Sequence, residues 1–331
     1  MLDAGCWILD TGCWMLDIRA IKFQYSEAAS ILISGISYPA SGIQNFVLTL
    51  QAGKLPILNP TYHIKTEESI DPAEAVLLMT AGVNFFSYAL MKHLSKEIVE
   101  FGYYTISNGQ ENSWADFFED KEVLSERYHH SAISFNLAES ILIPEEQYKA
   151  GETQPQLDLI FGQNFHSVPI TEHIPEWNSF NVARVSESLH EAVSRRFVSG
   201  KSWSTNSVLL KNVFGEKHNS ILVDFRTDEF SVVVFKENKL QLLKSFFYAS
   251  PEDVLFYLLK ICQQSGLSQQ EVKVVLAGLI EKNSAIFREL YKYFIHLEFE
   301  ELPAEISIAE ALNECPRHYF SSICKLATCV L

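Results

Sequence analysis

Residues 220–248 of this chain read SILVDFRTDEFSVVVFKENKLQLLKSFFY. Apolar and β-branched residues recur here in three runs, which polar residues separate: Ser220–Phe225, Phe230–Lys236 and Gln241–Tyr248. Short apolar runs bounded by polar turn residues are typical of β-strands joined as hairpins. The stretch therefore predicts three consecutive antiparallel strands at the start of a structural unit.

A helix is predicted to follow the third strand. Ser250 is a favourable N-cap, Pro251 fits the first helical position, and Asp253 stands where a capping box places its acidic residue. Gly266 is expected to end the helix. Its apolar stripe consists of Val254, Leu255, Leu258, Leu259 and Cys262.

Alternating strands and helices are predicted for the rest of this half. A fully apolar run at 272–276 has the composition of a strand that is buried on both faces. A helix bearing Ile286, Leu290 and Phe294 comes next, followed by a strand near 295–299. The closing helix is predicted from an apolar stripe of Tyr319, Ile323, Leu326, Ala327 and Val330.

The first half of the chain repeats this order. Strands are predicted at Ala75–Thr80, Phe85–Met91 and Glu97–Ile106, an amphipathic helix at Trp114–Tyr128 with Phe117, Phe118 and Leu124 on its apolar side, and strands at Ser131–Leu137 and Ile141–Ile143. Three hairpin-linked strands before the first helix distinguish a ribonuclease-H-like subdomain from folds that begin with a βαβ crossover. We therefore predict an α/β chain with mixed sheets and two tandem ribonuclease-H-like subdomains, at 71–215 and 216–331, which together form an actin-like (ASKHA) fold.

Several phrases of the sequence also resemble an uncharacterised family of Bacteroidota proteins, the domain of unknown function DUF3822. The phrases are Ser134-Phe135, Ile141-Leu142-Ile143-Pro144-Glu145-Glu146, Ile221-Leu222-Val223-Asp224-Phe225 and His318-Tyr319-Phe320-Ser321-Ser322-Ile323. The resemblance covers roughly residues 71–331. It implies an actin-like ATPase fold and brings no established activity.

The first 70 residues do not follow this order of strands and helices. Residues 1–17 repeat a heptad, MLDAGCW followed by ILDTGCW and MLD. A glycine in each unit opposes a coiled coil, which also needs three or more full heptads. We interpret residues 1–70 as an N-terminal extension, disordered or translated upstream of the true start, although a strand-like run occurs at 46–50.

Deletion of residues 1–60 tests this interpretation. We expect the melting temperature to stay within about one degree of that of the full chain, because no core contact is lost. A drop of several degrees, measured by thermal unfolding, would make the segment a structural element.

The phosphate-binding chemistry of actin-like ATPases is incomplete in this sequence. Such proteins hold phosphate with a glycine-rich, hydroxyl-bearing turn that follows an aspartate-bearing strand. The first-half turn has Thr80 and Gly82 but no aspartate, and the second-half turn has Asp224 and Thr227 but no glycine. The glycine pair expected after the buried strand is reduced to Gly278. If a nucleotide binds, these five residues are its predicted contacts.

We therefore expect an uncharacterised actin-like protein with degenerate phosphate-binding loops that acts as a non-catalytic interaction or scaffold protein. This expectation includes no catalytic residue, no metal site and no cofactor. The alternative is a nucleotide-binding actin-like ATPase or sugar-kinase-like enzyme that uses ATP and Mg²⁺ through unrecognised phosphate ligands.

Composition limits the class of partner. The formal net charge of −15 argues against nucleic acid, because phosphate-backbone binding depends on lysine and arginine. No apolar run reaches eighteen residues, so no membrane span is predicted. Six scattered cysteines do not form a disulfide framework and favour a reducing cytoplasm. Another protein is therefore the expected partner.

Three other patterns in the sequence have structural explanations. Gly200-Lys201-Ser202 imitates the end of a P-loop but follows a predicted helix, and it is interpreted as a surface loop. Cys315, His318, Cys324 and Cys329 lie close in sequence, yet Cys324 and Cys329 point to different helix faces, so core cysteines are expected. His129-His130 is interpreted as a solvated turn between a helix and a strand.

Overall fold

The computed structural model describes residues 60–67, 69–106, 114–213 and 218–330. The chain divides into the units Met1–Leu55 and Pro56–Leu331, and the described residues all belong to the second unit. The heptad repeat in residues 1–17 and the strand-like run at 46–50 lie outside the described residues.

The described residues form fifteen strands. In chain order they are β1 (Pro60–Lys65), β2 (Ala75–Ala81), β3 (Phe85–Lys92), β4 (Glu97–Thr105), β5 (His130–Phe135), β6 (Ser140–Pro144), β7 (Ser167–Ile174), β8 (Ser179–Ser186), β9 (Lys201–Ser204), β10 (Ser220–Phe225), β11 (Glu229–Lys236), β12 (Lys239–Phe247), β13 (Lys273–Gly278), β14 (His296–Phe299) and β15 (Ser307–Ile308).

Eight α-helices connect or cover these strands within the described ranges. They are α1 (Trp114–Asp120), α2 (Glu122–Ser125), α3 (Thr153–Phe161), α4 (Glu187–Arg196), α5 (Thr205–Asn212), α6 (Pro251–Ser265), α7 (Ala285–Tyr291) and α8 (Ser321–Thr328). Short 3₁₀ segments include Pro72–Glu74 before β2 and Arg317–Phe320 before α8.

Two main sheets share one strand arrangement. The first sheet has the order β1-β4-β3-β2-β5-β9, and the second has the order β12-β11-β10-β13-β14. In each, three consecutive strands pair antiparallel, a later strand pairs parallel with the first of the three, and one further strand pairs parallel with that later strand. This arrangement confirms the predicted pair of related strand orders.

The first sheet includes a strand from the stretch that the sequence analysis assigned to the extension. β1 pairs antiparallel with β4, so Ile64 lies opposite Phe101. The apolar side chains Tyr62 and Ile64 pack against the core of the sheet. The extension, as predicted for residues 1–70, therefore overlaps the fold at Pro60–Lys65.

A separate three-stranded sheet is inserted between β5 and β9. Its order is β6-β8-β7, and all its pairs are antiparallel. The predicted strand at Ile141–Ile143 thus exists, but it belongs to this small sheet. Arg184 fastens α3 to it, because the buried guanidinium binds Asp158, Glu139 at 3.0 Å and the carbonyl of Gly162 at 2.8 Å.

The strand at the end of the first sheet's order is β9, which begins directly after Gly200. The sequence analysis interpreted Gly200-Lys201-Ser202 as a surface loop, and this was wrong for its last two residues. Ser202 lies opposite Ile133 of β5 in a parallel ladder. The four-residue strand is too short and too polar to show an apolar period.

Local signals placed α6 correctly. Ser250 and Asp253 form the predicted capping box, and Gly266 ends the helix in the left-handed conformation at φ 62°. Leu258 is fully buried on this helix. The predicted helix at Trp114–Tyr128 instead divides into α1 and α2, with Lys121 in an extended conformation between them.

The C-terminal segment packs on the first sheet as well as on the second half. β15 pairs parallel with β4, so Ser307 lies opposite Glu97. Phe320 contacts Phe101 of β4 with ring centroids 4.9 Å apart. Buried residues of this segment that share the core of the first sheet include Ile306, Leu312, Ile323, Leu326 and Ala327. The subdomain boundary at 215/216 stays a prediction.

Candidate functional site

The first pair of predicted contacts lies at the end of β2, where Thr80 belongs to the strand and Gly82 to the turn that leads to β3. The Gly82 amide donates to the Phe85 carbonyl at 2.9 Å and closes the turn. A Cβ atom on Gly82 would lie 2.4 Å from Cε1 of the Phe85 ring, so the ring occupies the space beside the glycine. The buried Thr80 hydroxyl lies 2.8 Å from the Ser134 hydroxyl on β5. The Thr80 hydroxyl and the Gly82 amide therefore both form hydrogen bonds with residues of the first half.

The turn between β10 and β11 folds an arginine back onto the predicted aspartate. Asp224 and Arg226 are 2% and 4% exposed. Arg226 donates from Nη2 to Asp224 Oδ2 at 3.1 Å and from Nη1 to the Ser231 hydroxyl at 3.0 Å. The Ser322 hydroxyl of α8 donates to the same Asp224 oxygen at 2.6 Å. A guanidinium and a hydroxyl thus already bind this carboxylate.

Gly278 lies at the end of β13 against this turn. Its φ of +74° is in the left-handed region, where residues other than glycine are strained. A Cβ atom here would lie 2.1 Å from the Phe225 carbonyl oxygen and 2.6 Å from Asp224 Oδ1. The adjacent Leu279 amide donates to the Phe225 carbonyl at 2.9 Å. Glycine is therefore required at this position for close backbone packing of β13 on β10.

The two turns bind each other directly. Asn84 donates to Asp228 at 2.8 Å, and Asn136 donates to Glu229 at 3.0 Å. Hydroxyls of Tyr103 and Thr227 lie 3.2 Å apart, and the Arg226 guanidinium carbon lies 5.6 Å from the centroid of the Phe85 ring. We call these residues, with Asp224 and Ser322, the turn cluster. Its members are Asn84, Phe85, Tyr103, Asn136, Asp224, Arg226, Thr227, Asp228, Glu229 and Ser322.

Two tyrosines, Tyr103 in the turn cluster and Tyr248 beside it, keep their hydroxyl protons at neutral pH. Burial raises the pKa of Tyr103 to about 12. Burial, followed by the charge of Asp228, raises the pKa of Tyr248 to about 12. The Tyr248 hydroxyl donates to the backbone carbonyls of Arg226 at 2.9 Å and Thr227 at 3.1 Å. These bonds fix the backbone of the second turn at neutral pH.

The structure brings three of the five predicted contacts together. Asp224, Thr227 and Gly278 lie on or beside the second turn. Thr80 and Gly82 lie on the opposing turn, but their described hydrogen bonds stay within the first half.

Asn84, Asn136 and Ser322 belong to this site but were not among its predicted residues. A signal existed for the two asparagines, because each lies next to the end of a strand of the first sheet. Asn84 precedes β3, and Asn136 directly follows β5. Side chains at one edge of a sheet come close in space, and a buried amide needs a partner there.

The turn cluster presents mainly acidic and amide groups. Asp224, Asp228 and Glu229 supply three carboxyl groups, and Arg226 supplies the guanidinium. Glu229 is 7% exposed, and its Oε1 has no hydrogen-bond partner among the described residues. Such a group repels phosphate unless a cation intervenes. The described residues contain no group of three His, Cys, Asp or Glu side chains arranged to hold a metal ion.

The C-terminal cysteines are core thiols, as expected. Cys315 and Cys324 are buried, and Cys329 is half-buried. Burial raises the pKa of Cys324 to about 12, so this thiol stays protonated. His318 lies in the 3₁₀ segment before α8, and its Nε2 lies 2.6 Å from the Ile280 carbonyl oxygen. That ring nitrogen is therefore occupied by a hydrogen bond within the protein.

None of the helices in the described part of the chain is both long and apolar enough to span a bilayer.

Comparison with solved structures defines the class of protein. A Bacteroides thetaiotaomicron protein with an actin-like ATPase fold and unknown function matches with a TM-score of 0.62 at 15% identity, over 70% of this chain and 94% of that one. Weaker matches are a PilM–PilN type IV pilus biogenesis complex (TM-score 0.49, 10% identity, 78% and 98% covered) and the ethanolamine utilization protein EutJ from Carboxydothermus hydrogenoformans (TM-score 0.44, 7% identity, 80% and 92% covered). The chain thus has the predicted actin-like (ASKHA) fold.

The family follows from a family model that matches residues 65–297. The chain belongs to the family described as "Protein of unknown function (DUF3822)". The match confirms the resemblance noted in the sequence, although it ends before the closing phrase at 318–323. No curated protein matches the chain.

Proposed function

We propose that this actin-like protein binds another protein and does not hydrolyse ATP. One observation carries the proposal: the two turns that would face a nucleotide bind each other through the turn cluster. Asn84 and Asn136 donate to Asp228 and Glu229 across the two halves. A nucleotide that bound between the turns would have to break these bonds.

The charges of the second turn support the same proposal. Two like unit charges about 4 Å apart repel by roughly 4 kcal/mol at the effective dielectric near a protein surface. Asp228 and Glu229 would oppose the phosphates in this way. Arg226 would attract them, but its guanidinium is buried against Asp224. The bulky side chains of Phe225 and Arg226 would also hinder the close approach of a phosphate to the backbone of the turn.

The proposed partner is a protein, and the proposed compartment is the cytoplasm. The acidic net charge of −15 opposes nucleic acid as a partner. The four cysteines among the described residues are free thiols, which suits a reducing compartment. A body with two halves can present surfaces to a partner without chemistry, since fold does not determine function.

Titration of the purified chain with Mg-ATP tests the proposal. We expect no heat of binding at micromolar concentrations, no rise in melting temperature, and no phosphate release above background. A ligand that binds only the folded state would raise the melting temperature, so the two measurements check each other. An ATPase measured in parallel verifies that the reagents report binding and turnover.

Two threonine variants distinguish binding at the turn cluster from binding elsewhere. Thr227→Val removes a hydroxyl of the cluster, whereas Thr153→Val removes a hydroxyl at the start of α3. Micromolar Mg-ATP binding that is weakened by Thr227→Val and unaffected by Thr153→Val would contradict the proposal. It would favour the alternative, a nucleotide-dependent enzyme.

A further inference from the structure

Three histidines from different parts of the first sheet are in contact, away from the turn cluster. His93 directly follows β3, His129 directly precedes β5, and His130 is the first residue of β5. The ring centroids are 4.2 Å apart for His93 and His129, 4.4 Å for His129 and His130, and 5.8 Å for His93 and His130. We call these three residues the histidine cluster.

The backbone of the histidine cluster holds the start of β2. The His93 amide donates to the Glu74 carbonyl at 2.8 Å. The His129 amide donates to the carbonyls of Ala75 at 3.0 Å and Pro72 at 3.1 Å. β2 is the strand that joins β3 to β5 in the sheet. The cluster therefore lies where three strands are fastened together.

The surroundings of the cluster favour neutral imidazoles. The Nδ1 atom of His93 is buried and has no hydrogen-bond partner among the described residues. A protonated imidazole carries an N–H on both nitrogens, so charging His93 would bury an unpaired donor. Desolvation, followed by the neighbouring His129, His93 and Lys201, lowers the pKa of His130.

One basic side chain acts on the cluster, and the other charged groups named near it are ion-paired or exposed. Lys201 of β9 acts on His130 as a positive charge. Lys92 of β3 is paired with Glu97 at 3.1 Å. Glu74, in the 3₁₀ segment before β2, carries the acidic side chain of that segment and is exposed. An added proton thus enters a site where like charges already repel it.

We propose that the histidine cluster makes the first sheet sensitive to pH. At neutral pH the backbone bonds of the cluster hold the start of β2 in place, and on acidification these bonds weaken. Histidine in an unfolded chain titrates near pH 6.5. His130 takes up a proton at a lower pH in the folded chain than in the unfolded chain. The stabilisation is therefore complete above about pH 6.5 and is lost as the pH falls through the unfolded value. Repulsion between imidazolium rings would then separate the ends of β3 and β5 from β2.

Amide hydrogen exchange at positions 93 and 129 tests this inference. With a chelator present to exclude metal bridging, we expect protection at these amides, corrected for the intrinsic exchange rate, to fall several-fold between pH 7.5 and 5.5, because charged rings in contact repel one another. In His129→Gln/His130→Gln the fall should be within about twofold, because no two imidazole rings are left in contact to repel each other. His130→Gln alone, which changes an exposed ring, should show an intermediate fall.

His166→Gln is the matched control. This exposed histidine lies before β7 and outside the cluster, so its removal should leave the pH dependence as in the unmodified chain. A pH-independent protection in the unmodified chain would overturn the proposal. An undiminished fall in the double variant would overturn it equally, because the rings would then be shown to rotate into solvent without effect on β2.

Discussion

Replacement of Arg226 by leucine is expected to lower the free energy of unfolding by about 3–5 kcal/mol, the usual effect of removing one partner from a buried ion pair. The guanidinium and Asp224 are both almost fully buried, and their nitrogen and oxygen lie 3.1 Å apart. Without Arg226, the Asp224 carboxylate keeps only the Ser322 hydroxyl as a described side-chain donor. Urea unfolding followed by circular dichroism measures the loss.

Two further variants make this prediction specific. Arg195→Leu removes an exposed arginine that pairs with Glu191 on α4, and it should change stability by at most about 0.5 kcal/mol. In Asp224→Leu/Arg226→Leu, part of the loss should be recovered, because no buried charge is left unpaired. A loss below about 1 kcal/mol for Arg226→Leu would mean that water reaches Asp224 and replaces the guanidinium.

Truncation of Leu258 to alanine is the second change with a large expected effect. Its side chain is fully buried on α6, so the substitution removes apolar contacts and leaves a cavity in the core. Such substitutions cost about 2–5 kcal/mol. The same urea unfolding experiment measures the difference.

Gln263→Ala on the same helix is the control for Leu258→Ala. Gln263 is exposed, so its substitution should change stability by no more than about 0.5 kcal/mol. If Leu258→Ala cost as little as this control, the face by which α6 packs on the sheet would be assigned incorrectly.

The second half of the fold could be predicted from sequence because its signals are local. The β10–β12 hairpins, the Ser250–Asp253 capping box and Gly266 each depend on residues that are near neighbours in the chain. The apolar stripe of α6 has a clear helical period. Each local preference agrees with the tertiary structure, and the strand order could therefore be predicted from the sequence.

The parts that were missed depend on contacts between distant segments. β9 is a polar four-residue run, and it becomes a strand because Ala132–Phe135 of β5 offers an edge for it. β15 consists of two residues and pairs with a strand 210 positions earlier, from Ser307 to Glu97. The apolar periodicity and the composition of a short segment do not indicate which distant strand it pairs with.

The candidate site was predictable to a similar extent. Asp224, Thr227 and Gly278 could be predicted as nucleotide contacts because they lie at or just after the ends of predicted strands. Actin-like ATPases bind phosphate at such positions. The fold of Arg226 onto Asp224 could not be read from the sequence, since it requires the Ser231 and Phe85 side chains to be in place. Asn84 and Asn136 acquire their role only when the two turns meet.

The position of the C-terminal segment has a consequence for how this protein can be divided. Leu312, Phe320 and Ile323 are buried in the core of the first sheet, although they follow the whole second sheet in the chain. A fragment that stops at residue 215 would therefore leave the apolar surface of β2–β5 open to water and prone to aggregation. Two-hybrid baits and expression fragments should keep residues 306–327 with the first half.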